Sequence, residues 1–242
     1  MVILILIAFV VTCITVDAIV KYSRQRILKA SSVKIVNAQV FNEGSVLVPK
    51  GLYFDKTHTW AFMEKNGFVK IGVDDFLLHI TGPVNRLKMK NPGEKINKGE
   101  PALSLIQNGK QLTINSPISG TVKSNNNQLA ENSILVNSSP YNEGWVYTIE
   151  PSNWLRDSQF LLMADKYSEW LRNEFSRLKD FFAINNNKGN LEFAPVMMQD
   201  GGELVENVLE NLGPEVWEEF QTKFINNSFD VNWCAMLRTN QY

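Results

Sequence analysis

Apolar and polar positions divide the chain into four textures. Residues 2–20 form a mainly apolar run, VILILIAFVVTCITVDAIV, whose only charge is Asp17. About 20 apolar residues suffice to cross a bilayer as a helix, so this run predicts a transmembrane segment. From about residue 45 to residue 152 the pattern becomes short runs rich in β-branched and aromatic residues. Gly67-Phe-Val-Lys-Ile-Gly72, Gln111-Leu-Thr-Ile-Asn115 and Gly144-Trp-Val-Tyr-Thr-Ile149 are examples, each bounded by Gly, Pro, Asn or Ser. Short strands at this spacing predict a small all-β sandwich or barrel. Asn108-Gly109 lies between Leu103-Ser-Leu-Ile106 and Leu112-Thr-Ile114, which predicts a two-residue hairpin turn with Lys110 beside its tip.

Past Trp154 the period lengthens. Phe160, Met163, Tyr167, Trp170 or Leu171, Phe175, Leu178 and Phe182 recur at helical spacing with charged residues between them, predicting an amphipathic helix that runs to about Ala183. Its last apolar turns need a cover, from the domain's own flank or from a partner. Asn185-Asn-Asn-Lys-Gly-Asn190 reads as a linker, and a tail follows. One short helix is predicted over residues 203–211, and a second opens at Pro214 with Val216, Trp217, Phe220 and Phe224 on one side.

Charge narrows the functions. The chain has 24 basic and 25 acidic side chains, a formal net charge of −1, so the basic surplus that a general nucleic-acid binder needs is missing. Two cysteines, Cys13 and Cys234, and two histidines, His58 and His79, give neither a disulfide framework nor a zinc-site spacing. The acids concentrate in the tail: nine fall between Glu192 and Asp230 against one base, Lys223. A solvated, loosely ordered acidic tail is the expectation, with its aromatics a potential partner surface.

The apolar run at residues 2–20 is followed by Lys21, Arg24, Arg26 and Lys29, which places the N-terminus outside and the main domain on the cytoplasmic side. No Lys or Arg precedes the run, which favours a retained anchor over a cleaved signal. The Val-Thr before Cys13 is a poor match to a lipoprotein signal.

Five ordered motifs carry a family resemblance: Tyr53-Phe-Asp-Lys-Thr-His-Thr-Trp60, Val69-Lys-Ile-Gly-Val73, Asn91-Pro-Gly-Glu-Lys-Ile-Asn-Lys-Gly-Glu100, Ser116-Pro-Ile-Ser-Gly-Thr-Val122 and Pro140-Tyr-Asn-Glu-Gly-Trp145. Together they resemble the glycine cleavage H-protein, a relative of the lipoyl and biotinyl domains, over roughly residues 50–172, with Met163-Ala-Asp-Lys-Tyr167 similar to that protein's closing helix. The fold implied is mainly β, a lipoyl-like barrel-sandwich hybrid with flanking helices, here with an N-terminal transmembrane helix and a C-terminal helical acidic tail. The expected organisation is a transmembrane anchor (1–22), a basic juxtamembrane linker (23–48), a lipoyl-like domain (49–153), an amphipathic helix (154–184), and a linker with the acidic tail (185–242).

The resemblance implies a hairpin lysine bearing a lipoyl amide, a group that accepts an aminomethyl unit from a pyridoxal-phosphate decarboxylase, passes it to a folate-dependent transferase and is reoxidised by a flavoprotein. Such a carrier needs no acid, base or nucleophile of its own, so no enzyme activity is expected. The hairpin departs from the family pattern. Counted forward from Gly99 or back from Ser116, the family's lysine falls on Gly109, one residue short of Lys110, and Ile106-Gln-Asn-Gly109 stands where the family has Glu-Ser-Val-Lys. Side chains alternate along a strand, so a one-residue shift re-aims Lys110. Lys110 is the candidate for lipoyl attachment, and the shifted tip favours an ordinary hairpin lysine over it.

Other candidates read as structural. His58 and His79 read as hydrogen-bonded structural histidines rather than contact or metal residues. Gly99, Pro117 and Gly120 read as turn residues. The basic run Arg86, Lys88, Lys90, Lys95 and Lys98 reads as a solvated strand face, with an acidic partner or the inner leaflet as the alternative.

Three functions remain. The favoured one is a membrane-anchored, non-lipoylated docking or scaffold subunit of a membrane-associated complex. The second is a tethered lipoyl carrier shuttling an aminomethyl or redox group, with glycine cleavage-type enzymes as partners. The third is a secretion-type adaptor, which the short interval between Lys110 and Ser116 disfavours because no coiled-coil hairpin fits there.

Overall fold

The computed structural model describes residues 39–187 and 203–226. The apolar run at 2–20, most of the basic linker, Cys13, Trp233 and Cys234 lie outside the described residues. Among the described residues no helix is long and apolar enough to cross a membrane.

The short strands expected from the β-type texture pair into three sheets. β2 (Tyr53–Asp55), β3 (Thr59–Met63) and β4 (Val69–Val73) form a meander within a seven-stranded antiparallel sheet. That sheet is completed by β6 (Lys95–Ile96), β9 (Gly120–Asn125), β10 (Tyr147–Pro151) and β11 (Leu162–Met163), in the order β11-β2-β3-β4-β10-β9-β6. A second sheet of three strands, in the order β5-β7-β8, consists of β5 (Arg86–Met89), β7 (Pro101–Gln107) and β8 (Lys110–Asn115). A small outer ladder pairs β1 (Val40–Phe41) with β12 (Leu204–Val205). Helices α1 (Asp75–Thr81), α2 (Gln128–Glu131), α3 (Leu135–Ser138), α4 (Trp154–Ser158), α5 (Ala164–Asn187) and α6 (Pro214–Phe220) flank the sheets.

One apolar core runs through both larger sheets, with Ile71, Val122 and Ile149 from one and Leu105, Leu112 and Ile114 from the other. Tyr147 ties them with polar bonds as well. Its hydroxyl donates to the Ala102 carbonyl in β7 at 2.8 Å and accepts from the Lys90 amide at 2.7 Å, and burial pushes its pKa up to about 12. Gly120 serves close approach rather than the expected turn, because a Cβ there would lie 2.4 Å from the Glu150 carbonyl oxygen on β10. Lys98, expected on a solvated face, is instead a clamp: its ammonium donates to Asp55 and to the Pro117 carbonyl, each at 2.8 Å. Arg86 and Lys88 do face solvent.

A buried carboxylate fixes α1 and α5. Asp74 caps α1 by accepting from the Leu77 amide at 2.9 Å, meets His58 Nδ1 at 3.0 Å, and accepts from the Tyr167 hydroxyl on α5. Glu174, also on α5 and buried, lies 3.9 Å from His58 Nε2. His58 has no exposed surface and stacks on Phe76 at 4.9 Å, as a structural histidine should. Burial pulls its pKa down, but the charges and hydrogen bonds of Asp74 and Glu174 outweigh burial and raise it to about 9.

Three expected boundaries shift. The helix predicted from residue 154 is interrupted: α4 ends at Ser158, Leu162 and Met163 pair with Phe54 and Tyr53 as β11, and α5 begins only at Ala164. The open edge of β2 takes these residues, so sheet pairing overrides the helical period. At its other end α5 runs through Asn187, into the expected linker. The helix predicted over 203–211 is instead the two-residue strand β12 followed by a 3-10 turn, Val208–Asn211, entered through Asn207 in the left-handed region at φ 59°.

Because the His58 pKa is higher in the fold than its ordinary 6.5, its contribution to stability is fully present below 6.5 and disappears as pH rises through about 9. Urea unfolding should therefore lose roughly 3 kcal/mol between about pH 6 and pH 10. His58→Asn, which tolerates the left-handed backbone found there (φ 62°), should flatten most of that dependence.

Candidate functional site: the Lys110 hairpin and its cover

β7 and β8 close through the expected two-residue turn. Asn108 and Gly109 have φ of 49° and 80°, the left-handed pair of a type I′ hairpin, and Gln107 pairs directly with Lys110. No chain is inserted at this tip, so a coiled-coil arm of the secretion-adaptor kind is absent from it. A Cβ at Gly109, where the family's lysine would fall by count, would meet no atom within 4 Å. Lys110 starts β8 on the same side as the buried Leu112 and Ile114, while Gln111 between them is exposed. Gln107 is buried and donates to the Pro83 carbonyl at 2.9 Å.

The Lys110 ammonium is not free. It donates to the carbonyls of Glu210 at 2.6 Å, Leu212 at 3.0 Å and Leu209 at 3.3 Å, and lies 5.1 Å from the ring centre of Trp217. Three N–H groups thus meet three backbone acceptors of one short turn, beneath an aromatic face. Burial lowers the Lys110 pKa, opposed by the nearby Glu210 charge.

This cover is the acidic tail, and the expectation of a solvated segment is corrected here. Residues 203–226 fold on the domain because their apolar face is wide: Leu204, Leu209, Val216, Trp217, Phe220, Phe224 and Ile225 are all buried. Glu203, Glu215 and Glu218 remain exposed. α6 begins at Pro214 as predicted and continues as a wider turn, Gln221–Asn226. The extra turns of α5 are covered by the same segment, with Phe181 meeting Phe224 at 5.4 Å and Phe220 at 6.0 Å. Arg177 on α5 donates to the Lys223 carbonyl at 3.0 Å.

Two further latches hold the tail. Gln221 faces the edge of β8 with its amide. Its Oε1 accepts from the Thr113 N–H at 2.7 Å and its Nε2 donates to the Thr113 carbonyl at 2.8 Å, the pair of bonds a neighbouring strand would make. His79 bridges Asp75 at 3.4 Å and Glu206 of the tail at 3.3 Å, and its backbone carbonyl accepts from the Asn207 amide at 2.7 Å. Its pKa is raised, first by the bond to Asp75, against burial and with the help of Glu206. Gln221 and the carbonyls that hold Lys110 escaped sequence reasoning, although Trp217 is part of the predicted apolar helix face. An apolar stripe over Val216, Trp217, Phe220 and Phe224 was the available signal, but backbone carbonyls leave no mark in a sequence.

The family profile described as Glycine cleavage H-protein matches residues 52–174. The chain belongs to the glycine cleavage H-protein family. It is similar to "Glycine cleavage system H protein 2" of Aquifex aeolicus, 32% identical over 54% of this chain and 82% of that one. "Glycine cleavage system H protein" of Methylococcus capsulatus is 34% identical over 50% of this chain and 93% of its own length. A solved glycine cleavage system H protein from Mycobacterium marinum overlaps 51% of this chain and 98% of its own at a TM-score of 0.47 and 20% identity.

The H-protein match ends at Glu174, so the tail that covers Lys110 lies wholly beyond it. A lipoyl amide does not fit the covered arrangement. An amide nitrogen has one N–H and no charge, which would strand two of the three carbonyls, and the acyl chain would have to occupy the space the turn now fills. Among the described residues no group of three His, Cys, Asp or Glu side chains could hold a metal ion.

Replacing Gln221 by Ala should remove both Thr113 bonds and weaken tail docking by about 2 kcal/mol. Hydrogen exchange should show this as faster exchange at the Thr113 amide and across residues 204–226, with the β4 and β10 amides unchanged.

Proposed function

We propose that this chain is a membrane-tethered docking subunit built on an H-protein domain, with Lys110 used as an internal staple and bearing no lipoyl group. The observation that carries this reading is the triple engagement of the Lys110 ammonium by Leu209, Glu210 and Leu212. A lysine whose three donors hold the chain's own tail is withdrawn from an attaching enzyme that must reach the amine. The displaced hairpin register, with Gly109 where the family's lysine falls, supports the same reading.

A domain of this kind contributes surface rather than chemistry. His58, Asp74, Glu174 and Tyr167 are buried and meet one another inside the fold. The tether is the apolar run at residues 2–20, and the basic flank from Lys21 to Lys29 orients the domain toward the cytoplasm. Confinement to a membrane surface raises the effective concentration of partners resident there and favours service to one complex over shuttling among free enzymes. Glycine cleavage-type enzymes are the partners that family membership suggests, and another membrane-associated complex is the alternative.

A second reading, a tethered lipoyl carrier, draws on family membership and on the position of Lys110 beside the hairpin tip. It requires the tail to leave. Intact mass of the protein from its own host, with peptide mapping across residues 103–121, separates the two. The expected result is an unmodified Lys110 in a host whose other lipoyl acceptors are modified. A lipoyl mass on Lys110 would establish the carrier.

A further inference from the structure

We propose that residues 203–226 form a displaceable gate over Lys110, so that tail docking and acylation of the Lys110 amine are mutually exclusive states of one protein. The proposal rests on reading the docked lysine as a staple, and extends it to what happens when the staple opens.

The geometry makes the exclusion chemical as well as steric. In the docked state Lys110 is an ammonium with its three hydrogens directed at three carbonyls and no lone pair to offer. Acylation needs the neutral amine. One proton leaves to solvent, the nitrogen lone pair attacks the carbonyl carbon of an activated ester or mixed anhydride, and a C–N bond forms. The leaving oxygen departs with the electrons of its bond to that carbon, and a second proton leaves the nitrogen. The amide retains one N–H, too few for the turn that held the ammonium. Nothing is oxidised or reduced, and the only co-reactant is the activated acyl donor.

The gate is built to move as one piece. The Lys110 cage, the Gln221 bonds to Thr113 and the His79 bridge to Glu206 all lie on a segment of 24 residues, 203–226. Undocking breaks the two-residue ladder of β12 with β1 but no strand of the seven-stranded sheet. The Trp217 indole donates to the Leu209 carbonyl at 2.8 Å, so the aromatic lid and the acceptor turn are one unit. Tail and acyl group must then oppose each other by the same factor in both directions, since coupling between two equilibria is reciprocal.

The test uses the full chain in both directions. A water-soluble acetyl ester of N-hydroxysuccinimide is the probe, with labelling read by peptide mapping against Lys123, which is exposed, in the same molecule. Lys110 should label slower than Lys123 by about tenfold or more, the factor set by the population of the open form. In Trp217→Ala the two rates should converge while β4 and β10 keep their hydrogen-exchange protection. In reverse, Lys110→Gln, which copies the uncharged amide, should speed exchange across residues 204–226, and Lys110→Arg should preserve protection. Equal labelling of Lys110 and Lys123 in the unaltered chain, or a tail that stays protected in Lys110→Gln, overturns the gate. These outcomes are distinct from failure of the staple reading, which is a lipoyl mass on native Lys110. Lipoylated protein with an exchanging tail would refute the staple and uphold the gate.

Discussion

Asp74 is buried, and a carboxylate in that position must be surrounded by donors or it costs several kcal/mol. Three different parts of the chain supply them: the first turn of α1, the His58 imidazole from the β2–β3 turn, and the Tyr167 hydroxyl from α5. Meeting the needs of this one group therefore locks a long helix against a β domain. The far half of that helix carries Phe181, on which Phe220 and Phe224 settle, and those residues bring the turn at 208–211 over Lys110. The cage around the hairpin lysine hangs, through α5, on the buried pair at His58 and Asp74.

Electrostatics and hydrophobic burial divide the work of holding the tail. Burying a Trp, two Phe and several aliphatic side chains is the larger contribution, at roughly 1.5–3 kcal/mol for each large side chain before ordering entropy is subtracted. The polar contacts are weaker in sum but directional. Lys110, Gln221 and His79 fix where the apolar face lands, and each satisfies a group that docking would otherwise strand. Glu203, Glu215 and Glu218 stay exposed and the half-buried Glu206 is paired with His79, so the tail's negative charge does not oppose burial.

The family fold and the surroundings of its hairpin lysine are set by different parts of the chain. The match to the H-protein family spans residues 52–174, and within it the strands, the Asn-Gly turn and the start of the closing helix serve the barrel whatever its lysine does. What surrounds Lys110 is an element outside the match, residues 203–226, folded back onto the hairpin.

Much of this was legible in one dimension. Local signals dictate the short strands, the turn at Asn108-Gly109 and the helix opened by Pro214, because each depends on backbone preferences or on apolar periodicity within a few residues. Five ordered motifs made the domain recognisable for the same reason. The break between α4 and α5 was not legible, since the edge of β2 that captures Leu162 and Met163 lies more than a hundred residues earlier. Nor was the partner of Lys110. Composition marks the tail as acidic and therefore solvated, but burial is decided by where Trp217, Phe220 and Phe224 find a surface, and the lysine's acceptors are main-chain carbonyls that any residue carries. The sequence by itself determined a β domain with a lysine beside its hairpin tip. Only the tertiary structure decided that this lysine is held by the chain's own tail, because the contact joins residues about a hundred positions apart through atoms no side-chain pattern encodes.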